Sequence, residues 1–297
     1  MELLERLRAG EVLVCDGATG TELIARGLKA GECPESWCLS RPDTIEERVK
    51  AYVQAGADIV QTNSFGGSSL KLTAYGLADQ VTSLNTAAAR LARTAMAQQG
   101  FVAASVGPTG VFVKGEGGQI PASDLYEIFK VQIIALAAGG ADAICIETMW
   151  SIQEAEQAIR AAKDHTHLPV MCTFVFNSGR KGFRTAVGLT PEKAAQAALE
   201  AGADVVGANC GNGIDQMIEI ARLMRLAAPS APLLIQANAG LPIIENGVAV
   251  YGETPEYTAS RVPDLISAGA NIIGGCCGTT PQHIRALKLA AQTQKAH

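Results

Sequence analysis

The chain has 297 residues, 48% of them hydrophobic and 18% charged, and carries a formal net charge of −5. That composition supports a large buried core, excludes a disordered chain and argues against a nucleic-acid-binding surface. No run of about 18 uncharged apolar residues is present to span a membrane.

The amino terminus, Met1-Glu2-Leu3-Leu4-Glu5-Arg6, is charged where a signal peptide would be apolar. With no such signal, the eight cysteines read as reduced thiols and a cytoplasmic location is expected. The first β-type run is Val12-Leu13-Val14-Cys15, and Lys29 to Ser40, with Cys33 and Cys38, reads as an insertion behind it. Pro42-Asp43-Thr44-Ile45-Glu46-Glu47-Arg48 opens a helix with acidic residues at its positive end. That helix leads into Ala55-Gly56-Ala57-Asp58-Ile59-Val60. The phrase returns as Gly139-Gly140-Ala141-Asp142-Ala143-Ile144, Ala201-Gly202-Ala203-Asp204-Val205-Val206 and Ala268-Gly269-Ala270-Asn271-Ile272-Ile273. Each glycine suits a helix C-terminal cap, and each apolar run after it suits a strand buried on both faces. Further β-type runs lie between the copies, at Val102 to Val106, Val170 to Val175 and Leu233 to Ala237. The glycine-rich stretch Val111 to Ala122 reads as a mobile loop. Thr190-Pro191, Thr254-Pro255 and Thr280-Pro281 each give an N-cap followed by proline in the first helical turn. Eight strands alternating with helices predict one domain over residues 1–297, a closed (β/α)8 TIM-type barrel with parallel strands.

The repeat also sets depth. Seven residues beyond the repeated glycine stand Asn63, Glu147, Asn209 and Cys276, and eight beyond stand Ser64, Thr148, Cys210 and Cys277. All fall at the carboxyl ends of strands, where barrels of this kind carry their active sites. Cys210, Cys276 and Cys277 are therefore expected to meet over the barrel mouth. Three thiolates favour zinc in tetrahedral coordination with one position left open, which implies catalysis. His283 is expected to face outward from the last helix and to take no part. Cys15, Cys145 and Cys172 lie inside strands and read as core, and Cys33 and Cys38 have no assigned role.

Several motifs carry a family likeness. They are Asp16-Gly17-Ala18-Thr19-Gly20-Thr21-Glu22-Leu23, Thr62-Asn63-Ser64-Phe65-Gly66, Ile146-Glu147-Thr148, Gly207-Ala208-Asn209-Cys210, Asn238-Ala239-Gly240-Leu241-Pro242 and Gly274-Gly275-Cys276-Cys277-Gly278-Thr279. Together they resemble the homocysteine S-methyltransferase family, most closely the homocysteine-binding barrel of its cobalamin-dependent methionine synthase branch. Gly278 carries that finer likeness, because the S-methylmethionine-using branch typically has arginine there. The resemblance implies Cys210, Cys276 and Cys277 as catalytic zinc ligands. It also implies Asp16 and Glu147 as holders of the homocysteine amino group, and the backbone N–H groups around Gly17 and Ala18 as receivers of its carboxylate. Asn63 and Ser105 are weaker substrate-binding candidates. Asn238 ends strand seven between the ligand strands, so its amide oxygen is a candidate displaceable fourth zinc ligand.

On this reading the thiolate of L-homocysteine takes a methyl group from an external donor and becomes methionine. Nothing resembles a cobalamin-binding Asp-x-His-x-x-Gly segment, so methylcobalamin or a methyl-corrinoid on a separate corrinoid protein is the expected donor. Two other readings stand beside it. One uses a small donor, S-methylmethionine or betaine. The other is a zinc- and thiol-binding subunit of a multi-protein methyltransferase. A Schiff-base aldolase is disfavoured, since no β-type run ends in lysine.

Overall fold

Short runs rich in Val, Ile and Ala form the strands, because residues buried on both faces of a parallel sheet need no alternation of polarity. The structure, a computed structural model, describes residues 2–245 and 248–294. In chain order its first seven strands are β1 (Leu13–Val14), β2 (Ile59–Gln61), β3 (Phe101–Val106), β4 (Ala143–Met149), β5 (Val170–Phe174), β6 (Val205–Asn209) and β7 (Leu233–Ala237). An antiparallel pair follows, β8 (Ile243–Glu245) and β9 (Val248–Val250), and then β10 (Ile272–Gly275). All but the antiparallel pair form one eight-stranded parallel sheet in the order β1-β10-β7-β6-β5-β4-β3-β2. Its two edges meet where Cys15, directly after β1, bridges Ile59 of β2, so the sheet curls round into the expected TIM-type barrel.

Inward and outward side chains alternate along each strand. Leu13, Cys15, Ile59, Ala103, Cys145, Met171, Leu234 and Ile272 fill the interior, and Leu3 and Leu7 of the helix Leu3–Arg8 join that cluster. Their neighbours Val14, Val60, Val102, Ile144, Cys172, Val206, Ile235 and Ile273 pack outward against the helices. Cys15, Cys145 and Cys172 are thus core, as the sequence implied.

The repeated phrase has a mechanical role. Gly56, Gly140, Gly202 and Gly269 all take φ near +100°, the left-handed turn that ends each helix. The residue two further on then grips one residue of the neighbouring strand twice. Asp58 donates its backbone N–H to the Val14 carbonyl and accepts the Val14 N–H on its carboxylate. Asp142 does the same to Val102, Asp204 to Val170 and Asn271 to Leu233. A cation from an adjacent helix supports each clamp: Lys288, Arg93, Lys163 and Arg225 respectively.

Lys29 to Ser40, read as an insertion, ends in helical turns at Pro34–Ser36 and Trp37–Ser40. Two features differ from expectation. The β8–β9 hairpin leaves no trace in the sequence, because its Ile243 and Ile244 are exposed and signal no core. His283 is buried, not outward-facing. Its ring bonds the Glu253 carbonyl at 3.0 Å and the Thr280 hydroxyl at 3.0 Å, closing the gap between neighbouring βα units.

Gly207 tests how tightly the ring is drawn. A Cβ there would lie 1.8 Å from the Leu234 carbonyl oxygen, whereas a Cβ at Gly20 would meet nothing within 4 Å. Gly207→Ala is expected to cost about 1–3 kcal/mol through overpacking, read as a lower urea midpoint. Gly20→Ala should leave the midpoint unchanged or raise it slightly.

Candidate metal centre and substrate cavity

Strand order decides what meets at the barrel mouth. β6 and β10 pair with opposite edges of β7, so the residues that follow them turn over the same point of the rim. Cys210 has φ +63° and Gly211 φ +75°, a reversal held by the Cys210 N–H bonded to the Gln236 carbonyl at 3.1 Å. On the other side the Cys276 N–H bonds the Ala237 carbonyl at 2.7 Å, and the Thr279 hydroxyl donates to the Cys276 carbonyl at 2.7 Å. The three sulfurs then lie within 4.8 Å of one another, with Cys210 and Cys277 Sγ 3.9 Å apart. Zinc–sulfur bonds of about 2.3 Å in a tetrahedron require sulfurs about 3.8 Å apart, so the trio fits zinc. No other group of three or more His, Cys, Asp or Glu side chains among the described residues could hold a metal ion. All eight cysteines are free thiols.

Hydrogen bonds within the trio shift its thiols in opposite directions. Hydrogen bonds from Cys210 and then Cys276 pull Cys277 down to about 3. The same partnership, from Cys210 and Cys277, pushes Cys276 up. Tyr251 approaches Cys277 and packs its ring over Gly278, where a Cβ would meet Tyr251 Cγ at 2.2 Å. Gly278 is therefore needed to seat Tyr251.

The cysteines close one end of a cavity of about 350 Å³. Glu147, Ser105 and Gln61 also line it, together with Gly17, Ala18, Pro34, Glu35, Asn63 and Phe65. Glu147 Oε1 accepts from Gln61 Nε2 at 3.0 Å and from the Ser105 hydroxyl. Burial, opposed by the Ser105 hydrogen bond, pushes Glu147 up to about 7. Next to it Thr148 has φ +60°, and Asn209 holds that strained turn from both sides. Asn209 Oδ1 takes the Thr148 N–H at 2.8 Å, while its Nδ2 donates to the Thr148 hydroxyl at 2.7 Å.

Asp16 lies below this cavity and does not line it. Its carboxylate is fully buried against Arg48 at 3.0 Å and accepts the Gln61 N–H at 3.1 Å. Burial pushes its pKa up, and the Arg48 guanidinium pulls it back. Ala18 spends its N–H on the Thr279 hydroxyl at 3.1 Å. Asn63 reaches the wall with its amide turned to the Pro34 carbonyl at 2.8 Å. Asn238 is buried just beyond β7, and its side-chain oxygen has no hydrogen-bond partner. A metal ion would satisfy such an orphan acceptor.

Sequence reasoning missed Gln61, Gln236 and Arg48. Gln236 Nε2 bonds Gln61 Oε1 at 3.0 Å, and together they make a polar floor between apolar core and cavity. Both stand two residues beyond inward-facing apolar residues, Ile59 and Leu234, so the period-two pattern held their signal. Arg48 reads as a surface residue of an acidic helix, and only the folded chain reveals its burial.

The family described as Homocysteine S-methyltransferase matches residues 13–291. Methionine synthases of Mycobacterium leprae and Mycobacterium tuberculosis are each 32% identical to the chain over 312 residues. Those matches cover 97% and 96% of this chain, which spans about a quarter of each relative's length, 25% in both cases. Among solved structures, the oxidized form of the homocysteine methyltransferase MmuM from Escherichia coli is 26% identical with a TM-score of 0.78, over 96% of this chain and 98% of that one.

Removing the Arg48 side chain strands a buried carboxylate. Arg48→Met is expected to cost about 3–5 kcal/mol in chemical denaturation, and adding Asp16→Asn should recover part of that loss. Additive losses would show that the pair contributes nothing as a unit.

Proposed function

Since the chain belongs to the homocysteine S-methyltransferase family, we propose that it moves a methyl group from a small external donor to the sulfur of L-homocysteine, giving methionine. The observation that carries this reading is the cysteine trio at one end of a cavity that also holds Glu147. Cys210, Cys276 and Cys277 would hold zinc, and the unpartnered Asn238 oxygen is the candidate displaceable fourth ligand. The ion supplies Lewis acidity that keeps an incoming thiol deprotonated near neutral pH.

The chain's own residues do the rest. Glu147 receives the substrate ammonium, and Ser105 and Gln61 hold its carboxylate in place. Asp16 acts from beneath, paired with Arg48, and fixes the Gly17 turn through the Arg48 bond to the Gly17 carbonyl at 3.0 Å. Gly17 and Ala18 line the cavity where the substrate carboxylate would lie, with the Ala18 N–H already bonded to the Thr279 hydroxyl. Two reactants aligned in this cavity meet without a further entropy cost. The sulfur lone pair forms the new S–C bond, the donor's bond to that methyl breaks, and its electron pair leaves with the donor.

A small donor is favoured over a corrinoid because the cavity beside the cysteines, about 350 Å³, is of small-molecule size. Gly278, which suggested the cobalamin branch, is accounted for by the ring of Tyr251. A methyl-corrinoid on a separate protein remains a second reading, favoured by the exposed apolar residues Leu241, Ile243 and Ile244 on and beside the β8–β9 hairpin.

The deciding assay supplies zinc-loaded protein and homocysteine with S-methylmethionine, betaine or methylcobalamin in separate reactions. Methionine is expected from a small donor. Methionine from methylcobalamin alone would overturn the donor assignment, and homocysteine binding without turnover would favour a zinc- and thiol-binding subunit. Chelation is expected to abolish transfer, and zinc to restore it. Glu147 is largely protonated below its pKa of about 7, so homocysteine affinity should strengthen as pH rises from 6 to 8. Glu147→Gln should weaken binding about tenfold or more and flatten that pH dependence. An unchanged pH profile in the variant would remove Glu147 from the ammonium site.

A further inference from the structure

Three of the four strand clamps join opposite charges, and the fourth does not. Lys288 meets Asp58, Arg93 meets Asp142 and Lys163 meets Asp204. In the fourth copy of the phrase the acid gives way to Asn271, whose side-chain oxygen accepts an Arg225 N–H at 3.0 Å. The other bonds from Arg225 go to the carbonyls of Ala228 at 2.6 Å, Ala231 at 2.8 Å and Gly269 at 2.7 Å. All four acceptors are neutral, and among the described residues no Asp or Glu pairs with this guanidinium. Burial lowers its pKa, yet arginine keeps its proton in proteins and cannot shed the charge. A charge held partly out of water calls for a counter-charge.

Arg225 and Asn271 line a cavity of about 440 Å³ at the foot of the barrel, where the chain enters β6, β7 and β10. That volume is typical of small-molecule sites. Arg8 and Ser230 line it too, and neither side chain bonds another described residue. The one acid in the wall, Asp204, is already held by Lys163 at 2.7 Å and by the Val170 N–H at 2.8 Å. Pro229 and Pro232 stiffen the segment that carries Ser230, so this part of the wall is set before any ligand arrives. In a chain of net charge −5, two guanidinium groups thus share a cavity whose only carboxylate is neutralised.

We propose that this cavity binds a phosphate group, either free or carried by a small phosphate ester. Two guanidinium groups and a hydroxyl complement a dianion rich in acceptor oxygens. Asn271 is what opens the site. An aspartate there would give Arg225 an internal partner, as the other three clamps have. The cysteine trio follows the carboxyl ends of β6 and β10, whereas this cavity lies at their amino ends, so the site is independent of methyl transfer. A bound phosphate would tie the helix Leu3–Arg8 to the end of the helix Ile214–Ala227 and stabilise the folded barrel by mass action.

The test cancels the charge and keeps the clamp. Inorganic phosphate and glycerol 3-phosphate are titrated by calorimetry into the 297-residue protein at one fixed ionic strength, with glycerol as the neutral control. Wild type is expected to bind both phosphates saturably and glycerol not at all. Tighter binding of the ester would assign the site to phosphate esters, and equal or weaker binding to free phosphate. Asn271→Asp retains an acceptor for the Leu233 N–H and for Arg225 while neutralising the guanidinium. It should bind phosphate about tenfold or more weakly, with a urea midpoint equal to or above that of wild type. Arg8→Gln should weaken binding by a similar factor and leave the midpoint unchanged, since the Arg8 side chain holds no other described residue. Should Asn271→Asp fail to fold, Arg8→Gln decides. Absence of saturable phosphate binding in wild type would overturn the proposal, as would undiminished binding in either folded variant.

Discussion

Asp58, Asp142, Asp204 and Asn271 each bind one residue of a neighbouring strand through both backbone and side chain, and the depth of the whole ring follows from that doubled bond. A strand in a parallel sheet could slip along its partner at modest cost where every side chain is apolar. A carboxylate that accepts one particular N–H and leans on a helix cation permits one register only. Glu147, Asn209 and Cys276 each stand at the same spacing from such a clamp, so their meeting at the mouth is a consequence of how the strands are pinned at the opposite end.

Between the clamps and the mouth the interior changes character. Its lower part is apolar, filled by Leu13, Ile59, Met171 and their neighbours and sealed by Leu3 and Leu7. Above it lies a layer of Gln61, Gln236, Thr173 and Asn209, tied together and to Glu147 by side-chain hydrogen bonds. The buried Asp16–Arg48 pair braces this layer from the side. A polar layer cross-linked in this way is rigid, and rigidity is what the strained backbone at Thr148 and Cys210 needs.

The barrel and the cysteine trio were legible in the amino-acid order because both follow from period and spacing. Four copies of one phrase located the even strands, and counting from the glycine set Cys210 and Cys276 at the rim. What stayed hidden depends on folding back. The Asp16–Arg48 pair joins residues whose sequence context suggests a turn and an exposed helix, so nothing local marks the ion pair. The segment Lys29 to Ser40 offers no periodicity, and that it walls the cavity follows only from the Gly66 N–H that anchors Glu35. The β8–β9 hairpin puts apolar residues into solvent, the reverse of the signal that sequence reading relies on.

One clamp differs from the other three in where its cation comes from. Lys288 reaches Asp58 from the helix Pro281–Gln294, so the earliest clamp in the chain is completed by its latest helix. β10, which carries Cys276 and Cys277 at its end, must also slide between β7 and β1 before the circle shuts. During synthesis, then, the ribosome releases seven barrel strands before the three sulfurs can meet. A metal ion held by all three would load only into the finished barrel, since a nascent chain stalled before β10 carries just Cys210 of the trio.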